Sequence, residues 1–147
     1  MKPTKAPTIV SLQICPGHRK QMQPIDEIEA MANLGFKGDR HALADSSRQV
    51  LLIEKETLDA LDLPVGAVKE NITTEGIELM KLRAHQRLKL GSDVVLEITK
   101  ACSPCSRMDE VRPGLLRDLA GRRGMLARAV TGGLMRRGDS ITVLENQ

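Results

Sequence analysis

Two segments of this chain follow one plan, and that plan limits the folds open to it. Leu88-Lys89-Leu90-Gly91-Ser92-Asp93-Val94-Val95-Leu96-Glu97-Ile98 reads as a strand, a Gly-Ser-Asp turn and a second strand. Leu134 to Leu144 repeats the arrangement around Gly138-Asp139-Ser140. Alternation on both sides of each turn predicts two half-buried β-hairpins. Ile9 to Ile14, Gln49 to Ile53 and Met125 to Val130 add three more strands, and Glu70 to Gly76 adds a strand ending in a turn. Pro24 to Met31 has a short, acidic, helix-like character. Glu54 to Leu61 and Gly114 to Leu119 predict short helices. βαβ alternation is absent, which disfavours a doubly wound parallel sheet.

The expected fold is therefore β-rich α+β. A closed or nearly closed β-barrel with short helices over its ends fits best, because closure removes exposed strand edges. The 147 residues suit a single domain spanning 1–147. With one Phe and no Trp or Tyr, the core must be aliphatic. The same scarcity removes the stacking platforms of single-stranded nucleic-acid binders. Net charge is +3, but from Lys100 onward nine Lys or Arg face five acids. That basic half is the sole support for a nucleic-acid-binding module, which is not expected. Some of these arginines suit an anion site, since the guanidinium fork grips phosphate through paired hydrogen bonds.

Three cysteines make no disulfide framework in a chain of this length, and no apolar run approaches a membrane span. The opening Met1-Lys2-Pro3-Thr4-Lys5 does not read as a signal peptide. A reduced, cytoplasmic compartment without membrane association is expected.

Cys105 draws attention first. It follows a strand in Cys102-Ser103-Pro104-Cys105-Ser106-Arg107 and precedes a basic, helix-like stretch. Arginine charge or a helix N-terminus would favour its thiolate, the form that attacks, carries sulfur or ligates metal. Cys102-Ser103-Pro104-Cys105 also has the C-x-x-C spacing of a thiol-redox pair. Together with Cys15-Pro16-Gly17-His18 it supplies the ligand types of a Cys3His zinc site. A small thiol-redox or zinc-binding protein using Cys102 and Cys105 is thus the alternative reading. The ordinary reading of Cys102 is a buried, inert thiol.

The loop around Gly35 and Gly38-Asp39-Arg40-His41 joins a flexible turn to a cation and an imidazole. Arg48 precedes an apolar run, and Glu70 and Asn71, with Lys69 before them, follow a strand and precede a turn. Singly, each of these is ordinary loop or turn chemistry. Together, in the order Gly35–His41, Arg48–Glu54, Gly66–Leu79, the Leu88–Ile98 hairpin, Pro104-Cys105 and Arg137-Gly138-Asp139, they resemble a MOSC domain, the module named from the C-terminal part of molybdenum-cofactor sulfurases. The similarity covers most of the chain, and the Glu70-Asn71-Ile72-Thr73-Thr74-Glu75-Gly76 run and the late cysteine carry it most specifically.

The resemblance implies a β-rich barrel with helices that binds molybdenum cofactor (molybdopterin). It implies that Cys105 ligates molybdenum or carries sulfur, making it both the catalytic and the metal residue. Lys69, Glu70 and Asn71 fall where the family places polar groups near the cofactor. Gly38, Asp39, Arg40, His41 and Arg48 fall on the family's earlier motifs. The implied activities are sulfur carriage or partner-dependent reduction of N-hydroxylated compounds. The implied partners are a molybdoenzyme, or a cysteine desulfurase as sulfur donor, and an electron-transfer protein. With no desulfurase-like domain in the chain, pyridoxal phosphate is not expected to bind directly. The chemistry agrees: soft thiolate suits molybdenum, and arginine or backbone N–H suits the pterin phosphate.

Overall fold

A computed structural model of the chain describes residues 6–144; the Met1–Lys5 opening and Glu145 lie outside them. In chain order it contains β1 (Thr8–Ile14), β2 (Gln23–Ile25), β3 (Glu27–Met31), β4 (Gly35–Phe36), β5 (Val50–Glu54), α1 (Lys55–Ala60) and β6 (Ile72–Glu75). Then come a 3-10 turn (Leu79–Lys81), β7 (Arg87–Leu90), β8 (Val94–Ala101), α2 (Met108–Val111), α3 (Leu115–Asp118), β9 (Met125–Thr131), β10 (Gly133–Arg136) and β11 (Ile141–Leu144). Among the described residues no helix is long and apolar enough to cross a membrane.

The strands form an eight-stranded sheet in the order β11-β7-β8-β9-β5-β6-β1-β2 and a three-stranded sheet in the order β10-β3-β4. The main core lies between them. Leu12, Leu52, Ile72, Leu88, Leu96, Ile98 and Ala127 meet Phe36, Ala30 and Met135 there. β5 is central and buried on both faces, which explains its unbroken apolar run. Val50 and Leu52 enter the main core, whereas Ile53 turns outward onto a second cluster with Leu58, Val68, Met108, Leu115 and Leu119. The short helices cover that outer face.

Three expectations are corrected. The barrel is not closed: both sheets are open, and β11 and β2 are free edges of the larger one. The start of β1 does touch the β10–β11 turn, through an isolated Thr8–Ser140 bridge and a 2.9 Å bond from Ile9 N to Asp139 O, but no ladder forms. The second predicted hairpin is not one. β10 pairs with β3, and β11 pairs with β7, so the strands on either side of Gly138 enter different sheets. The cause lies at Gly132, where a Cβ would come within 2.7 Å of Ala30 O. Close backbone approach there turns the chain out of the large sheet and onto β3. Finally, Pro24 to Met31 is extended, not helical. Ile28 and Ala30 are more buried than Glu27 and Glu29, a period of two. Pro24 sits in β2, an edge strand, where a missing N–H costs little.

Candidate functional site

The end of β1, the start of β6 and the loop after β4 are tied together by one buried carboxylate. Asp39 Oδ1 accepts from Cys15 N at 2.7 Å and from Asn71 Nδ2 at 3.1 Å. Asp39 Oδ2 accepts from His41 N at 3.0 Å and lies 3.3 Å from His41 Nδ1. Burial works to raise the proton affinity of Asp39, but the hydrogen bonds from His41 and Cys15 outweigh it and hold the carboxyl below its ordinary range. Arg40 N donates to Cys15 O at 2.8 Å, which fixes the direction in which the Arg40 side chain leaves the loop.

Asn71 completes the clamp. Its Oδ1 accepts from Leu51 N at 3.0 Å, and its Nδ2 also donates to Gln13 O at 3.3 Å. One side chain thus bridges β1, β5 and the Asp39 loop. Glu70 is fully buried beside it: Oε2 accepts from Gly66 N at 2.7 Å and from Thr73 Oγ1 at 2.8 Å, while Oε1 has no partner. Burial pushes the Glu70 carboxyl above its ordinary range, against the bonds from Gly66 and Thr73.

Cys105 is exposed, and it is the sole exposed thiol of the three, none of which forms a disulfide. Cys102 is buried with Leu51 and Leu126, and its N–H donates to Gly124 O at 2.9 Å. Cys15 is buried and its Sγ donates to Gly17 O at 3.1 Å. The helix expected beyond Cys105 is α2, a four-residue turn that begins three residues later. It offers at most a small dipole, unlike the long helix of a thiol-redox site. Among the described residues no three His, Cys, Asp or Glu side chains gather as a metal cluster, so the Cys15, His18, Cys102 and Cys105 set is not assembled as a zinc site.

One of the nine basic residues counted from Lys100 onward, not singled out among them by the sequence, turns out to be buried. Arg123 is only 6% exposed. Its Nη2 donates to Val68 O at 2.7 Å, and its Nη1 has no partner. Burial lowers the hold of Arg123 on its proton, opposed by Cys102, Glu70 and Cys105, with Arg48 adding repulsion. Segments around residues 48, 70 and 102–105 thus all act on Arg123. The Arg122-Arg123-Gly124 tandem was the available sequence signal. Gly124, at φ +111°, lies where a Cβ would meet Leu52 O at 2.3 Å, so a glycine there is what lets the chain cross β5 and aim Arg123 inward.

Three other cations act electrostatically on His18. The Arg40 guanidinium foremost, then Arg107 and Arg19, lowers the affinity of this exposed imidazole for a proton. Lys69, at φ +66°, sends its Nζ to Lys20 O at 3.0 Å. Of the residues singled out from sequence, Asp39, His41 and Asn71 are joined by hydrogen bonds, Glu70 and Arg48 act electrostatically on Arg123, and Arg40 acts on His18. Gly38 shapes the loop at φ +86° and is exposed.

Comparison with known proteins follows the geometry. The family model described as "MOSC domain" matches residues 36–142. Among solved structures, YuaD from Bacillus subtilis is similar across 100% of both chains, at 21% identity and a TM-score of 0.84. YiiM from Geobacillus stearothermophilus is similar over 95% of this chain and 75% of its own, at 16% identity and a TM-score of 0.76. YiiM from Escherichia coli is similar over 95% and 71%, at 14% identity and a TM-score of 0.73. These identities speak for a shared fold alone. No curated protein matches the chain.

Proposed function

The chain belongs to the MOSC domain family, which is generally associated with molybdenum cofactor binding, and we propose that it holds that cofactor with Cys105 as the metal ligand. The supporting observations are an exposed Cys105 and a buried Arg123 whose Nη1 lacks a partner. A buried guanidinium N–H left unsatisfied costs free energy unless a ligand meets it. A soft thiolate and a guanidinium suit the two ends of a group that is metal dithiolene at one end and phosphate at the other.

When bound, the group supplies a centre able to pass two electrons to a substrate. The residues of the chain would do the rest. Cys105 would hold the metal side, and Arg123 Nη1 with Arg48 would meet the phosphate. Glu70 Oε1 and Gln13 Oε1, both buried without a partner, would accept from pterin N–H groups. Asp39 and Asn71 have their polar atoms engaged by protein groups, so they position the loops and do not touch the guest. Lys69, Gly38, Arg40 and His41 form the rim.

The reaction proposed is reduction of an N-hydroxylated compound, R–NHOH with two electrons and two protons giving R–NH2 and water. The electrons come from a separate electron-transfer protein. A second reading, sulfur carriage by a Cys105 persulfide from a desulfurase to a molybdoenzyme, is favoured by the burial of Cys102, which leaves no neighbouring thiol free to resolve the persulfide.

Protein purified from cells that make the cofactor should contain molybdenum and releasable pterin in equal amounts. Cys105→Ala should lose molybdenum, and Arg123→Gln should lose pterin. Full retention of both groups in Cys105→Ala would refute the ligand role. Protein without either group, but carrying a cyanide-releasable sulfur on Cys105, would favour carriage.

A further inference from the structure

The outer face of β11, β7, β8 and β9 carries its charges in fixed register. Arg87 of β7 stands opposite Glu97 of β8, and Glu97 stands opposite Arg128 of β9. Arg87 Nε donates to Glu97 Oε2 at 3.2 Å and Arg128 Nε to Glu97 Oε1 at 3.2 Å, with His85 Nδ1 3.6 Å from Oε1. Lys89, two residues beyond Arg87, and Lys100, opposite the outward Leu126, project on the same side. These four strands contain four basic residues and one acid, and all five occupy this face. Lys89 and Lys100 have no carboxylate partner among the described residues.

One carboxylate cannot balance four cations. Taking these five residues out of the 22 basic and 19 acidic ones of the chain leaves 18 of each, so the excess charge of the whole protein equals that of this one face. Arginines without a carboxylate also occur at Arg48 and Arg83, but those lie outside the strands. Here the ladder holds the cations in place. The face is also bare of helices. They pack over Ile53 of β5, and their apolar cluster takes in no residue of β7, β8, β9 or β11. Lys89 is flanked by the uncharged Thr142 and Val95. At its far side the face meets Leu126 and Leu51, the cover of Cys102.

We infer that the outer face of β11-β7-β8-β9 is a docking surface for an acidic protein, whose carboxylates pair with Lys89, Lys100, Arg87 and Arg128. Identifying that protein as the electron donor of the reduction rests on the reading above; the surface itself does not. Neighbouring strands lie about 4.8 Å apart, which puts the backbones at Arg87 and Arg128 about 10 Å from each other. Cations so spaced, with a carboxylate between them, match acids scattered over a protein surface. A continuous phosphate backbone would meet the Glu97 carboxylate, and one Phe with no Trp or Tyr offers no stacking for bases. Opposed charge across such an interface speeds encounter and sets orientation more than it adds affinity, as a passing electron donor requires.

The test uses an acidic plant-type [2Fe–2S] ferredoxin as the probe, by calorimetry on cofactor-loaded and cofactor-free protein. The ferredoxin should bind both forms at low salt and weaken as salt rises. The Lys89→Gln/Lys100→Gln variant, altered at two exposed positions, should bind about fivefold or more weakly, with the thermal midpoint of the wild type. Lys37→Gln/Arg136→Gln removes the same charge from the small sheet, where the two side chains are paired with Glu29 and Glu27, and should bind as the wild type does. No binding at low salt, or equal weakening in the two variants, would overturn the surface. So would a short DNA duplex that binds more tightly at the same salt and displaces the ferredoxin, which would give the face to nucleic acid. Ferredoxin that binds through Lys89 and Lys100, yet when reduced passes no electrons to the loaded protein, would sink the electron-donor reading and leave the surface standing.

Discussion

Asn71 Nδ2 donates to Asp39 Oδ1 at 3.1 Å across 32 residues of chain. The bond joins the start of β6 to the loop after β4, and through Cys15 N it secures the end of β1. Every group in it is buried or half-buried, so each lost partner leaves a neighbour without water or protein to bond. Asp39→Ala and Asn71→Leu should each lower stability by roughly 2–4 kcal/mol. Combining them should cost less than the sum, with a coupling of about 1 kcal/mol or more, because the second change removes a bond already broken. Urea unfolding of the four proteins measures this; strict additivity would mean the two side chains do not cooperate.

Two of the buried carboxylates, Asp39 and Glu70, should respond to pH in opposite senses. Asp39 is held below its ordinary value in the folded protein. Its stabilising contribution is fully present above the unfolded value of about 3.9 and is lost as pH falls through the folded value. Glu70 is held above its ordinary value. Its contribution is present below the unfolded value of about 4.3 and is lost as pH rises through the folded value. Glu70→Gln, which can still accept from Gly66 N and Thr73 Oγ1, should gain thermal stability over the wild type at pH 8 more than at pH 4. Asp39→Asn should lose stability at pH 7, with the loss shrinking below pH 3. Melting curves across that range would show the two crossing trends, and a Glu70→Gln curve parallel to the wild type at all pH values would contradict the first.

Gly124 has no room for a side chain. A Cβ there would lie 2.3 Å from Leu52 O, at a φ of +111° that other residues rarely adopt. Gly124→Ala should destabilise by about 2 kcal/mol or more and should raise the exposure of Cys102, whose N–H bonds to Gly124 O. Gly121→Ala, where no heavy atom lies within 4 Å of the added carbon, should cost less despite its φ of +78°. Equal losses at the two positions would show that backbone angle alone matters.

The three thiols should separate cleanly by reagent access. In native protein a thiol-specific reagent should label one cysteine, Cys105, and in denatured protein all three. Cys105→Ser should remove native labelling entirely. Fast labelling of Cys102 in the native protein would indicate that its cover by Leu51 and Leu126 opens readily. Mass spectrometry of the labelled peptides reads each outcome.

Local pattern carried much of the fold into the sequence. The β7–β8 hairpin, with Leu90 opposite Val94, forms where its turn and alternation predict. β5 and α1 also lie where the Gln49–Ile53 and Glu54–Leu61 runs place them. The closest repeat of that hairpin pattern misled, because Leu134 to Leu144 has the same turn chemistry but different neighbours. Its strands found better partners in β3 and β7 than in each other. The acidic residues of Pro24 to Met31 masked a period of two, since glutamate is a good helix former by type even though the i, i+2 spacing of exposed Glu27 and Glu29 is that of a strand.

The amino-acid order alone determined that this chain builds short strands around an aliphatic core, and it marked Cys105, Asn71 and the Gly38–His41 loop. Those depend on spacing, turn chemistry and residue type, which act over a few neighbours. Tertiary structure decided that the sheets stay open, that Cys102 is covered while Cys105 is exposed, and that Arg123 turns inward onto Val68 O. Each of these depends on which distant segments meet, through the close backbone passages at Gly124 and Gly132 and the bond between Asp39 and Asn71. Contacts of that range are set by packing of the whole chain, and no local pattern encodes them.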